Sequence, residues 1–182
     1  MAKRVFISAG HGGSDPGAVS LNGKYREADL ALRLRNLVFA GLRTRGVEVI
    51  SDGEAGENKP LRDAVEIAKK NSTGISVELH FNAAGPSASG VEALAYPNHR
   101  VLCQRLCGVI ANRLGSPLRG DLGWKPQDSG QHHRLAFCEA GGIILEVCFI
   151  SNKAELRTYL QSEKDIADAL AGVLAAWSVA LS

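Results

Sequence analysis

The run Gly142-Ile143-Ile144-Leu145-Glu146-Val147-Cys148-Phe149-Ile150 is apolar except at Glu146. A segment of this length and composition is the signature of a central strand covered on both faces. A sheet built around such a strand needs helices above and below it. Glu146 is then the position to explain, because burying a carboxylate without a partner is costly and a purely structural account must supply that partner.

The rest of the chain alternates strand and helix as that requirement demands. Val5-Phe6-Ile7 is a short apolar run that ends in a glycine-rich loop, which reads as a buried strand. Leu30, Leu34, Leu37, Val38 and Leu42 recur at helical spacing and are closed by Gly46, with a strand expected from Val47 to Ile50. Pro60 suits the start of a helix over Leu61 to Lys70. Strands are expected from Gly74 to Phe81 and from Val91 to Tyr96, and Arg100 to Leu114 carries one apolar helical face. Ser116 to Arg134 is rich in Gly, Pro, Asp and Gln and forms the longest irregular stretch, of the kind that often binds ligands. Asn152 with Glu155 and Ser162 with Asp165 each have N-cap spacing, which predicts two closing helices, the second turning Ile166, Leu170, Val173, Leu174, Trp177 and Leu181 inward. The expected architecture is α/β: a single mixed, mostly parallel β-sheet flanked by helices on both faces, forming one catalytic domain over residues 1–182.

Composition narrows the function by exclusion. The formal charge of +2 comes from mixed signs spread along 182 residues, without the basic patch that a nucleic-acid partner calls for. No stretch approaches the ~18 uninterrupted apolar residues of a membrane span, so membrane insertion is not expected. The opening Met1-Ala2-Lys3-Arg4-Val5-Phe6-Ile7-Ser8 has too short an apolar run for a secretory signal, which predicts synthesis in the cytoplasm. Cys103, Cys107, Cys138 and Cys148 lie in apolar contexts without paired C-x-x-C spacing and read as buried free thiols. A monomer is expected.

Reactive groups in such sheets gather at strand ends. Three residues have that character here: His11 after the first strand, His80 near the end of the third, and Glu146 in the last. Glu27, at the start of the first long helix, adds a fourth. Two imidazoles and one carboxylate are what a hydrolytic zinc site uses, since three protein ligands leave one position open. The spacings match no short local zinc motif. Taken singly, His11 could be a loop residue, Glu27 a carboxylate complementing a helix dipole, and His80 a hydrogen-bonded core histidine. Glu78 shares a strand face with His80 and is either its supporting partner or a member of a structural ion pair. His132 and His133 sit in the irregular stretch, either as surface residues or in contact with substrate.

Four segments then give the pattern an identity. Ser8-Ala9-Gly10-His11-Gly12-Gly13-Ser14-Asp15-Pro16-Gly17-Ala18, Glu27-Ala28-Asp29-Leu30-Ala31-Leu32, Val77-Glu78-Leu79-His80-Phe81-Asn82-Ala83 and Leu145-Glu146-Val147-Cys148-Phe149-Ile150-Ser151-Asn152 resemble, in order, the motifs of the zinc-dependent N-acetylmuramoyl-L-alanine amidases of the Amidase 3 type. The resemblance implies zinc held by His11, Glu27 and His80, and Glu146 as the catalytic base. It also implies peptidoglycan as substrate, cut between the lactyl group of N-acetylmuramic acid and the L-alanine of the stem peptide, in the periplasm or cell wall. Zinc would lower the pKa of its water toward about 7 and stabilise charge on the carbonyl oxygen.

Two departures from the family pattern stand out. The segment between Arg119-Gly120 and Leu135-Ala136-Phe137, holding Trp124, Lys125, Gln127, His132 and His133, looks longer than usual. Gly141-Gly142 replaces the usual proline before the catalytic strand. No inserted helical segment of the regulated, division-associated kind is seen between Glu27 and His80, so the chain resembles a compact phage or prophage endolysin. Two rivals remain to be weighed. A serine esterase would need a G-x-S-x-G elbow, which the chain does not contain. A noncatalytic peptidoglycan-binding module of the same fold would have no need of a base beside an open metal site.

Overall fold

The computed structural model describes residues 3–57, 59–72, 74–129 and 135–180. Six strands, β1 (Val5–Ala9), β2 (Val49–Ser51), β3 (Ile75–Asn82), β4 (Glu92–Ala95), β5 (Trp124–Pro126) and β6 (Ile143–Phe149), form one sheet in the order β2-β1-β3-β6-β4-β5. Pairing is parallel except between β6 and β4. The mixed, mostly parallel sheet expected from the sequence is therefore the one observed, with the last strand at its centre.

Side-chain alternation divides the residues of this sheet into two unequal faces. Val5, Ile7, Val77, Leu79, Ile143, Leu145 and Val147 point to a large core. Helices α1 (Glu27–Thr44), α3 (Arg100–Leu114) and α5 (Lys153–Ala180) cover that side. On the other side Phe6, Ile144 and Leu94 pack against Ala64, Val65 and Ala68 of α2 (Leu61–Lys70) and against Phe137 and Cys138 of the single turn α4 (Ala136–Glu139). This smaller layer covers Phe6, Ile144 and Leu94. The same face continues toward the C-terminal ends of the parallel strands with Ser8 and Glu78, in register with Ile144, and then with His80 and Glu146.

Three local expectations are corrected. The two closing helices are one continuous helix of 28 residues. Ser162 and Asp165 have capping spacing, but no Gly or Pro between Lys153 and Ser162 stops the helix before them, and Glu163 between them is buried, with Tyr159 Oη donating to it at 3.0 Å. Burial at Leu156, Tyr159, Glu163, Ile166, Leu170 and Leu174 continues the helical period through the junction. The strand expected over Val47 to Ile50 is the shorter, shifted β2. The irregular stretch after Ser116 contains β5, a three-residue edge strand that its terminal Pro126 disguises.

Asn152 does cap α5, its Oδ1 accepting from the backbone N–H of Ala154 at 3.0 Å and of Glu155 at 3.1 Å. All four cysteines are buried and free, as their apolar contexts suggested. Among the described residues no helix is long and apolar enough to cross a membrane.

Candidate active site

The loop after β1 turns back on itself so that His11, at φ 62°, faces the first turn of α1. A residue other than glycine in this region is strained, and such strain gathers where a side chain must be aimed. His11 Nδ1 lies 2.8 Å from Asp15 Oδ2, and its Nε2 lies 3.2 Å from Glu27 Oε2. Gly10 and Gly17 make this packing feasible. A Cβ at Gly10 would sit 2.3 Å from the His80 ring, and one at Gly17 would sit 2.6 Å from His11 Cδ2.

Glu27 is the first residue of α1, where a carboxylate favours the helix dipole, yet its side chain is turned inward. Its two oxygens accept from the backbone N–H of Ala18 and of Phe81, each at 2.9 Å, and Oε1 lies 3.0 Å from His80 Nδ1. Burial pushes this carboxyl up, but the hydrogen bonds with His11 and His80 and the charges of both rings outweigh it, holding Glu27 well below the usual carboxylate range.

His80 stands between two carboxylates. Its other nitrogen, Nε2, lies 2.9 Å from Glu78 Oε1, as the shared face of β3 allowed. Burial works to lower the His80 pKa, yet hydrogen bonds with Glu27 and Glu78 and the charges of Glu78 and Glu146 raise it well above its ordinary value. His11 is raised as well, chiefly by its hydrogen bond with Glu27.

Ligand atoms of His11, Glu27 and His80 all lie within 4.8 Å of one another. Positive charge collected on two imidazoles among surrounding carboxylates is what a divalent cation would replace, and the donor set is one that zinc accepts. His11, Glu78 and His80 line a cavity of ≈ 500 Å³ whose opposite wall is Lys59, Pro60 and Leu61. That wall is the end of the loop after β2 together with the first residue of α2. Arg35 of α1, buried, pins the loop by donating to Asp52 Oδ1 at 2.7 Å and to the carbonyls of Gly53, Glu54 and Glu57 at 3.2, 2.7 and 2.9 Å.

Glu146 lies directly across from His80 in the parallel pairing of β3 with β6. Its Oε2 is buried and has no hydrogen-bond partner among the described residues. Burial, aided by the charges of Glu27 and Glu92 and opposed by His80, pushes its pKa up to about 7. The fold thus gathers the four residues singled out by sequence and adds Asp15, Glu92 and Asn82, which sequence reading passed over. Asp15, four residues beyond His11 in a glycine-rich turn, was the most findable of these. His132 and His133 lie outside the described residues. Trp124 is turned toward the large core, its Nε1 donating to the carbonyl of Ala95 at 3.1 Å.

Residues 5–176 match the model of the family described as N-acetylmuramoyl-L-alanine amidase, Amidase 3. The crystal structure named "the putative N-acetylmuramoyl-L-alanine amidase from Neisseria meningitidis" superposes with a TM-score of 0.87 at 42% identity, over 96% of this chain and 95% of that one. An uncharacterized Bacillus subtilis protein, YqiI, is 30% identical over 155 residues, covering 84% of this chain and 73% of its own length. The N-acetylmuramoyl-L-alanine amidase AmiA of Salmonella typhimurium is 33% identical over 95 residues, which are 52% of this chain and 32% of AmiA. The match thus spans about a third of that larger enzyme.

Proposed function

The chain belongs to the N-acetylmuramoyl-L-alanine amidase family, hydrolases that act on an amide of peptidoglycan, and on that footing we propose that it works with zinc held by His11, Glu27 and His80 and with Glu146 as catalytic base. The observation that carries this reading is Glu146 itself: half-buried in the central strand, with a buried Oε2 that has no partner among the described residues, and set beside His80 in register. A noncatalytic wall-binding module has no use for such a group, whose burial only costs stability.

The chain's own residues account for most of the chemistry. Backbone N–H groups of Ala18 and Phe81 fix the Glu27 carboxylate, and Asp15 and Glu78 each hold one ring nitrogen of a histidine, leaving the other to face the donor set. When bound, zinc supplies Lewis acidity, polarising the scissile carbonyl and acidifying a water beside it. Glu146 removes the proton of the attacking water and later delivers it to the leaving nitrogen of L-alanine. Its place directly across from His80 puts the carboxyl beside the metal ligands, where both transfers must occur. The cavity opens directly onto His11 and His80, which supports an enzyme competent without an activator, as an endolysin-like role in the cell wall requires.

Purified sacculi test the proposal. A chelator should abolish release of fragments and zinc restore it. Glu146→Gln should keep stoichiometric zinc while losing on the order of 10²–10⁴ in kcat. Mass spectrometry of the products should find free stem peptides beginning with L-alanine. Products cut between sugars, or full turnover by Glu146→Gln, would overturn the assignment.

A further inference from the structure

The polar row that begins at His80 does not end at Glu146. Antiparallel β4 sets Glu92 directly opposite Glu146, so both carboxyl groups stand on the same face with Cβ atoms about 5 Å apart. Three side chains converge on Glu92: Lys125 Nζ lies 2.8 Å from Oε2, Arg119 Nε donates to the same oxygen, and Asn82 Nδ2 donates to Oε1 at 3.1 Å. Two cations on one carboxylate leave a net positive charge. Glu92 itself is closed off at 8% exposure, whereas Lys125 and Arg119 keep 27% and 38% of their side-chain surface. Arg119 is also held over the Phe149 ring at 5.0 Å and donates to the Ser89 carbonyl at 3.3 Å, so its position is set before any ligand arrives.

We propose, resting on the amidase reading above, that Arg119 and Lys125 bind the carboxylate that the stem peptide carries nearest the scissile amide, and so fix the direction in which substrate lies across the sheet. The chemistry of the substrate favours this end for the peptide. The lactyl carboxyl is consumed in the amide and the N-acetylated sugar is neutral, so formal negative charge resides on the peptide side of the cut. At about 3.3–3.6 Å per extended residue, the first two residues of the peptide span the distance from Glu146 past Glu92. Glu92 is then a positioning residue, aligning the two cations. If the pair served only to neutralise Glu92, substrate charge would leave catalysis unaffected.

The test compares two N-acetylmuramyl-L-alanyl peptides, one with a free carboxylate at its second residue and one with the carboxamide, cleaved by the zinc-loaded protein. The wild type should favour the carboxylate by about tenfold in kcat/KM, chiefly through KM. Lys125→Met, which leaves Arg119 in place, should cut the ratio to about threefold or less, and Lys125→Arg should retain it. Lys125 is the variant of choice because Arg119 also supports Phe149. Equal KM values for both substrates in the wild type, or an equal slowing of both by Lys125→Met, would overturn the inference and leave the amidase reading standing. A wild type that cleaves neither substrate would overturn the amidase reading and the inference with it.

Discussion

Glu146 keeps its proton in the folded, metal-free chain over a pH range in which the unfolded chain has lost it. Its pKa rises from 4.5 to about 7 on folding, so its contribution to stability is full below pH ~4.5 and is lost as pH climbs through about 7. Above that, the folded state holds an ionised carboxylate in a site that disfavours it, at a cost of up to about 3 kcal/mol. Chelated Glu146→Gln should therefore melt higher than the chelated wild type at pH 8, by roughly 5–10 °C, and the gap should close toward pH 4.5. Paired thermal scans across this range check it, and a gap independent of pH would count against the buried, unpartnered state of the carboxyl. The same residue was the most legible in the sequence, because a lone charge in an apolar run has few explanations. Glu92 was not legible in that way: its significance depends on which strand lies opposite Glu146, and β4 reaches that place only through the antiparallel turn of the sheet.

At the scale of elements, the strongest single tie is Arg35 on α1, whose ion pair with Asp52 leaves both side chains almost wholly buried. Removing the guanidinium strands a buried carboxylate and three loop carbonyls. Arg35→Met should cost about 3–5 kcal/mol in urea unfolding and expose residues 52–57 to proteolysis. Adding Asp52→Leu should recover part of the loss, and a neutral single variant would show that the loop is held by other contacts. Helices α2 and α3 could be bounded from sequence because a proline opens one and a glycine follows the other, with clear apolar spacing between. The break expected inside α5 failed for the opposite reason: a capping pattern allows a helix to start without forcing the previous one to stop. β5 and α4 were invisible because three or four residues carry too little periodicity to read.

For the whole molecule, the division of labour between the two faces of the sheet has a measurable side. Burial pushes the thiols of Cys103 and Cys138 up to about 12 and those of Cys107 and Cys148 well above their ordinary value. At pH 8 the native protein should be inert to a disulfide reagent over minutes, and all four thiols should react once it is unfolded. Prompt reaction of any of them in the native state would show that the core layers part easily. The place of β6 has another consequence. It is the last strand in the chain, yet it lies between β3 and β4, so those two strands cannot pair with their final neighbours until it arrives. Such distant pairing makes closure of the sheet a late folding event. Since β6 also carries Glu146, a growing chain holds His11, Glu27 and His80 before it holds the residue proposed as base. Under that proposal, the order of the strands themselves withholds the ability to cut the wall during synthesis.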